Sequence, residues 1–268
     1  MSCTCEHHHA TTCDSSGTPI TLQPPMVALT GRLICADAAQ MLTALSLLPE
    51  HTRLSRAEPG NLRFDPTQDE NPLIWHLSEL FTDAEAFAAH HTRTKDSEWG
   101  RSSTAITRDF QRIDAHPLIR QEIPSDGDAI GALNRRAFGG DDEAKLVDAL
   151  RRDGDLNLSL VAHHDGTILG HIALSPLLAP FPALALAPVA VHPAMQKRGL
   201  GKALIRAAIE ARPDHAIILL GDPAYYSRMG FQPVDLQSPY AGPFLQGTGP
   251  GIQPGAQITH APAFAALG

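Results

Sequence analysis

The sequence predicts an α+β protein made of two units, on three observations. Residues 20–113 read in the order strand, helix, strand, strand, helix, strand. His116-Pro117 then marks a linker over 114–117. Beyond it, in residues 118–268, an apolar strand over 183–191 runs into a short basic loop carrying Gly199 and Gly201, which opens into an amphipathic helix.

The first unit follows element by element. Residues 26–35 are an apolar strand. Residues 38–58 are helical, with Pro49 forcing a break or kink. Glu58-Pro59-Gly60-Asn61 turns the chain, and Leu62 and Phe64 alternate with Arg63 and Asp65 as in a half-buried strand. Residues 73–81 form the third strand, and Asp83 caps a helix that carries Ala84, Phe87, Ala88 and His91 on one face. Residues 105–110 close a ferredoxin-like α+β unit.

The second unit begins with a strand over 119–123. Two helices follow over 126–138 and 142–152, each opening on a capping Asp. Asp165-Gly166 joins strands 156–162 and 168–175 as a hairpin. The strand over 183–191 comes next, then the glycine loop, its helix and the strand Ala216–Leu220. Residues 242–255 are rich in Gly and Pro, and 256–264 return as a final strand.

Composition narrows the functional classes. With 29 acidic against 21 basic residues the formal charge is −8, which argues against nucleic acid as the main partner. No apolar run approaches the ~20 residues that span a bilayer, and the N-terminus has no apolar signal-peptide region. Cys3, Cys5, Cys13 and Cys35 do not make a disulfide framework, so a reducing cytoplasm is expected. Cys3, Cys5, His7, His8, His9 and Cys13 are either soft-metal ligands or part of a disordered polar tail over 1–19. Their spacing fits no zinc-finger pattern, and no metal is expected.

The loop Gln196-Lys197-Arg198-Gly199-Leu200-Gly201-Lys202 gathers backbone N–H groups and a helix N-terminus at one point, a natural anion site. It lacks the Walker Gly-Lys-Ser/Thr and the Rossmann Gly-x-Gly-x-x-Gly. Its Gln-x-x-Gly-x-Gly spacing resembles the acetyl-CoA pyrophosphate loop of the GNAT N-acetyltransferases. Tyr225-Tyr226-Ser227-Arg228-Met229-Gly230-Phe231, after the next strand, matches that family's second signature. The resemblance implies a mixed-sheet α/β unit that binds acetyl-CoA as cosubstrate and transfers acetyl to a small-molecule or protein amine. It implies that residues 196–202 wrap the pyrophosphate and that the backbone of Val189 and Val191 pairs with the pantetheine arm. It implies too that Tyr226 donates a proton to the departing thiolate, with Tyr225 as the structural alternative. Pro188 is either a device that splays the strand edge or a simple edge-strand proline. Asn134 and Arg135 could touch the acceptor. No acidic base stands on the strand over 184–191, which leaves His171, Ser175 or a water relay.

In the first unit, Thr30-Gly31-Arg32-Leu33-Ile34-Cys35, Glu58-Pro59-Gly60-Asn61-Leu62, Glu79-Leu80-Phe81-Thr82-Asp83 and Ala86-Phe87-Ala88-Ala89-His90 resemble the antibiotic biosynthesis monooxygenase (ABM) family. The resemblance implies a ferredoxin-like unit pairing into a dimeric α/β-barrel, hence a homodimer. It also implies oxygenation of a quinol-like aromatic without metal or flavin. Where many members have Glu-x-Trp, this chain has Glu79-Leu80-Phe81. The base would be His90, with His51, His76 and His91 as alternatives. Trp75, Phe64, Phe81 and Phe87 would line the pocket, and Arg53 or Arg93 would hold a phenolate. The other reading is a non-catalytic dimerisation or ligand-sensing module that controls the transferase.

Overall fold

The computed structural model describes residues 17–266. The Cys/His stretch of residues 3–13 lies outside these described residues. Thr18–Pro19, read as the end of a tail, form a short strand β1. The first unit then runs β2 (Met26–Ile34), α1 (Ala38–Arg56), β3 (Asn61–Gln68), β4 (Ile74–Phe81), α2 (Ala84–Asp96), a short α3 (Glu98–Ser102) and β5 (Thr107–Ala115). Its antiparallel sheet has the order β3-β4-β2-β5. Helix α1 passes through Pro49 unbroken, and Asp37 and Asp83 cap α1 and α2 with their carboxylates. The alternation of β4 turns Leu77, Glu79 and Phe81 toward the helices and Leu80 to the opposite face.

The second unit comprises β6 (Leu118–Gln121), α4 (Gly127–Phe138), α5 (Asp142–Asp153), β7 (Leu158–His164), β8 (Thr167–Leu178), β9 (Ala183–Val191), α6 (Leu200–Ala211) and β10 (Ala216–Leu220). It ends with α7 (Pro223–Tyr226), β11 (Gln232–Pro233), β12 (Leu236–Gln237), β13 (Leu245–Thr248), β14 (Ala256–Gln257) and β15 (Thr259–His260). The main sheet follows β1-β6-β7-β8-β9-β10-β13-β11, with β15 beside the end of β8. Asp165 and Gly166 both adopt positive φ, as the β7–β8 hairpin turn requires. Two sequence expectations fail here. Asp126 does not cap its helix through the side chain, its carboxylate accepting Arg120 and the Ile123 amide instead, and Asp142 falls inside its helix, after Asp141, which makes no side-chain cap either. The last segment is not one strand either: it breaks into β14, β15 and a final 3-10 turn over Pro262–Ala266.

The two units share a core. Leu22, Met26, Ala28, Leu80 and Ala115 pack in one apolar cluster with Ile119, Leu158, Leu160, Leu169, Ile172 and Leu204. Residues 114–117 are therefore no loose spacer. Asp114 and Ala115 belong to β5, the His116 ring accepts the Leu22 amide at 3.1 Å, and the Pro117 carbonyl accepts the Ile20 amide at 2.9 Å. Arg63 of β3 fastens the junction by donating to the Asp165 carbonyl at 2.5 Å and to Thr167 Oγ1 at 3.0 Å. This packing covers one end of the sheet face that the expected homodimer would use. The other end carries the exposed Arg32–Asp109 pair.

Leu80 is fully buried in the shared cluster. Leu80→Ala is expected to cost about 2–5 kcal/mol and to lower the denaturation midpoint of both units together. Trp99 fluorescence reports the first unit and amide exchange in β8 the second. A shift confined to Trp99 would show that the units are energetically separate.

Candidate functional site

Two cavities hold the residues singled out in the sequence. The larger lies in the second unit. Parallel pairing of β9 with β10 ends at Ala185 and Ile218, so Leu186–Val191 leave the β10 side of β9 open. Opposite Ala187-Pro188 the β8–β9 register also shifts. At the far end of that edge the chain turns through Lys197 (φ 62°) and Gly199 (φ 92°) into α6. Two left-handed residues so close together gather successive amides into an anion-binding concavity. The first intrahelical bond is Ala203 N–H to Gly199 carbonyl, so the amides before it remain for a ligand.

A cavity of about 540 Å³ results, lined by Val189, Val191, Gln196, Lys197, Gly199, Leu200, Gly201, Lys202, Tyr225 and Tyr226 among others. Arg198 is the exception. Its guanidinium leaves the cleft and donates to the carbonyls of Thr82, at 2.6 Å, and Pro24, both in the first unit. The rings of Tyr225 and Tyr226 meet edge to face at 4.9 Å. Burial, with Tyr225 alongside, pushes the Tyr226 phenol up to about 12. Two glycines make room for this pair: a Cβ on Gly221 would stand 2.1 Å from the Tyr226 ring, and one on Gly201 would stand 3.0 Å from the Tyr225 hydroxyl.

His171 and Ser175 do not line the cleft. His171 is fully buried, bonded to Ser159 Oγ at 3.0 Å, and burial lowers it to about 4. Ser159 in turn donates to Glu122, which Arg151 holds. Asn134 is buried against Ile130 and His171, and Arg135 is exposed near Asp141.

The second cavity, about 210 Å³, lies inside the first unit between sheet and helices. His51, Phe64, Glu79, Phe87, His90, His91, Trp99 and Arg108 line it. His90 Nδ1 bonds Glu58 at 2.8 Å, and Arg93 donates to Glu58, Ser55 and the His51 ring. With Nδ1–H committed to Glu58, the lone pair of His90 falls on Nε2, where the Thr94 hydroxyl stands at 3.3 Å and Glu79 Oε2 at 3.8 Å. Burial pulls His90 below the ordinary imidazole value despite the carboxylate beside it, and takes His51 down to about 3. Glu79 is 3% exposed, and its Oε2 has no hydrogen-bond partner. Burial first, then Glu58, raise it to about 8.

The other residues named for this pocket lie elsewhere. His76 is exposed on Asp69, and Arg53 is exposed on Glu50. Trp75 packs against the neighbouring cluster, and Phe81 is buried behind the pocket wall, its ring against Phe87 and His90. Glu79 and Arg108 had not been singled out. The alternation of β4 carried the signal for Glu79, since it falls between Leu77 and Phe81 on the inward face.

The profile of the acetyltransferase (GNAT) domain matches residues 155–233, and that of antibiotic biosynthesis monooxygenase matches residues 34–98. The N-acetyltransferase YhbS of Escherichia coli (strain K12) is 43% identical over 122 residues, which cover 43% of this chain and 73% of that protein. The chain belongs to the GNAT N-acetyltransferase family. A crystal structure of Escherichia coli YhbS in complex with CoA is 34% identical, with TM-score 0.52, over 57% of this chain and 93% of that one. YjhQ of the same organism is 36% identical over 135 residues, 45% of this chain and 72% of that protein. The GNAT unit is thus preceded in the same chain by an ABM domain. No helix among the described residues is long and apolar enough to cross a membrane.

A buried carboxyl raised to about 8 holds its proton in the folded protein, whereas the unfolded one releases it near 4.5. The folded state then binds more protons between those values, so the contribution of Glu79 to stability is full below pH 4.5 and is lost as pH rises toward 8. Glu79→Gln is expected to remove this loss. Its advantage over wild type in thermal unfolding should grow from pH 5 to pH 8, reaching on the order of a few kcal/mol. A constant difference across that range would show that Glu79 is ionised when folded.

Proposed function

We propose that the GNAT unit binds acetyl-CoA in the 540 Å³ cleft and transfers the acetyl group to an amine. The supporting observation is the continuity of that cleft: the amide concavity at 197–202 leads along the open edge of β9 to the Tyr226 hydroxyl. The pyrophosphate would sit on the amides of residues 197–202, with Lys197 and Lys202 adding charge. The Arg198 side chain serves the junction instead and contributes only its amide. The pantetheine arm would pair with the outward N–H and C=O groups of Val189 and Val191 as an added strand, taking the Val191 carbonyl over from the Gln196 side-chain amide that reaches it at 3.4 Å. With its phenol near 12, Tyr226 stays protonated and acts as a hydrogen-bond donor to the leaving thiolate rather than giving its proton away.

For the ABM domain, the observation that favours catalysis over a passive module is the approach of His90 Nε2, beside Thr94, to the unpartnered Oε2 of Glu79 on the wall of a mainly apolar pocket. His90, oriented by Glu58, would take a proton from a quinol-like aromatic while neutral Glu79 hydrogen-bonds the anion left behind. Dioxygen would accept the electrons, one oxygen atom entering the ring and the other leaving as water.

Calorimetry with acetyl-CoA should show binding by wild type, weakened about 10- to 100-fold when Lys197 and Lys202 are both changed to Glu. Tyr226→Phe should lower kcat by about 10²-fold with acetyl-CoA affinity unchanged. Absence of binding by wild type would end the transferase reading. Oxygen uptake with a quinol panel should fall about 10²-fold in His90→Ala. Uptake that is absent in wild type, with quinols still bound, would leave the sensing role.

A further inference from the structure

Beyond the thioester end of the cleft the parting of β9 and β10 opens a second space, and what lines it bears on the acceptor. A cavity of about 280 Å³ lies between Leu186–Ala187 of β9 and Leu219–Leu220 of β10, and is closed by Tyr240, His260 and Phe264. The same three side chains border an adjoining cavity of about 640 Å³. On β9 the order is therefore acceptor-side cavity at 185–187, Pro188, then the carrier cleft from Val189. A pantetheine arm laid along Val191 and Val189 would bring its thioester to Pro188, at the mouth of this space.

His260 is placed by β15, which pairs His260 with Leu177 of β8. Its ring meets Tyr240 edge to face at 5.2 Å and tilts against Phe264 at 5.0 Å. The ring nitrogens have no hydrogen-bond partner among the described residues. Burial holds this imidazole below its usual value, so at neutral pH one nitrogen carries a free lone pair. Among the described residues lining the two cavities none is Asp, Glu, Lys or Arg, and besides His260 the one phenol is that of Tyr240.

These walls select against charge. An ammonium brought into the smaller cavity, whose walls are apolar but for Tyr240 and His260, would lose hydration and find no carboxylate, so the neutral amine is favoured there; the wider space beyond it is lined also by the uncharged polar Gln237, Ser238, Gln257 and Thr259. A polyamine or a lysine-rich peptide would be penalised for every charge it brings in. An aromatic body would instead match the edge-to-face rings of Tyr240 and His260 and the face of Phe264.

We propose that the acceptor is a primary amine with an aromatic or similarly apolar body, and that His260 is the catalytic base that takes its proton. The inference rests on the transferase reading above. The amine lone pair forms the C–N bond at the thioester carbonyl, whose π pair moves to oxygen. That pair returns as the C–S bond breaks, and the sulfur keeps the bonding electrons. One amine proton passes to His260, which then releases it to solvent, and the thiolate, hydrogen-bonded by Tyr226, takes a proton from solvent. The products are the amide and the CoA thiol, with no net change in proton count.

The test uses the full chain with acetyl-CoA and follows thiol release with 2-phenylethylamine and with spermidine. The expected result is a kcat/KM at least about tenfold higher for 2-phenylethylamine. In His260→Gln, kcat should fall about 10²-fold while KM for acetyl-CoA holds. Wild-type activity should fall as pH drops below the lowered imidazole value, and that acidic limb should vanish in the variant. A merely structural histidine would not carry the limb. Equal or better use of spermidine, or a variant that keeps both kcat and the limb, overturns the proposal. So does a wild type that binds acetyl-CoA by calorimetry yet acetylates neither amine, an outcome that leaves carrier binding standing. A wild type that binds no acetyl-CoA sinks the transferase reading itself.

Discussion

The parting of β9 from β10 after Ala185 is the constraint on which the rest of the GNAT unit depends. A bonded parallel pair would have closed the sheet and left no cavity on either side of Pro188. Once the pair opens, the N–H and C=O groups of Leu186–Val191 that point away from β8 lose their β10 neighbour, and buried backbone polar groups need partners. Pro188 has no N–H to leave unsatisfied, which suits it to the point where the edge turns open. The cleft at 189–202 and the apolar space at 185–187 are two ends of one interruption. A chain that bonds to the first end must present its terminus to the second.

A second constraint ties this unit to the ABM domain. Lys197, Arg198 and Lys202 look interchangeable as cations near a phosphate. The fold separates them, because Arg198 stands where the corner between β4 and α2 can reach it. The planar guanidinium satisfies two carbonyls there, Thr82 and Pro24, which a lysine ammonium would do less well. Thr82 follows directly on the strand that carries Leu77 and Glu79 along the wall of the inner pocket. The carrier loop and that pocket therefore share the end of one strand, within a continuous apolar core. The pairing of two sequence families in one chain has a physical counterpart in that joint.

Much of this was legible in the sequence because it rests on local rules. The glycine loop, the hairpin at Asp165-Gly166, the cap at Asp83 and the strand over 183–191 depend on residues near one another in the chain. What escaped depends on distant ones. Arg198 stands in the loop that the resemblance places on the pyrophosphate, and the carbonyls that claim its side chain lie more than a hundred residues upstream. Asp126 has the residue type of a cap, yet Arg120 beside it offers a stronger partner. Pro49 breaks no helix, because the tertiary packing of α1 on the sheet outweighs one lost hydrogen bond. The end of the chain read as one strand, but the β15 pairing that places His260 is only two residues long, too short for any period to show.

The histidines show why residue type alone could not locate the chemistry. Burial leaves His51, His90, His171 and His260 neutral at pH 7, so each carries one lone pair. A lone pair is useful as a base only where it faces space that a reactant can enter. In His171 both nitrogens lie within the packed network of Asn134, Ser159 and Glu122, where no cavity reaches. In His51, Nδ1 is taken by Arg93. His90 commits one nitrogen to Glu58 and turns the other, with the Thr94 hydroxyl beside it, to the inner pocket. His260 commits neither and stands at the join of two cavities. Among equally neutral imidazoles, access to empty volume rather than proton affinity decides which can act, and that volume is set by strand pairing far from the histidine itself.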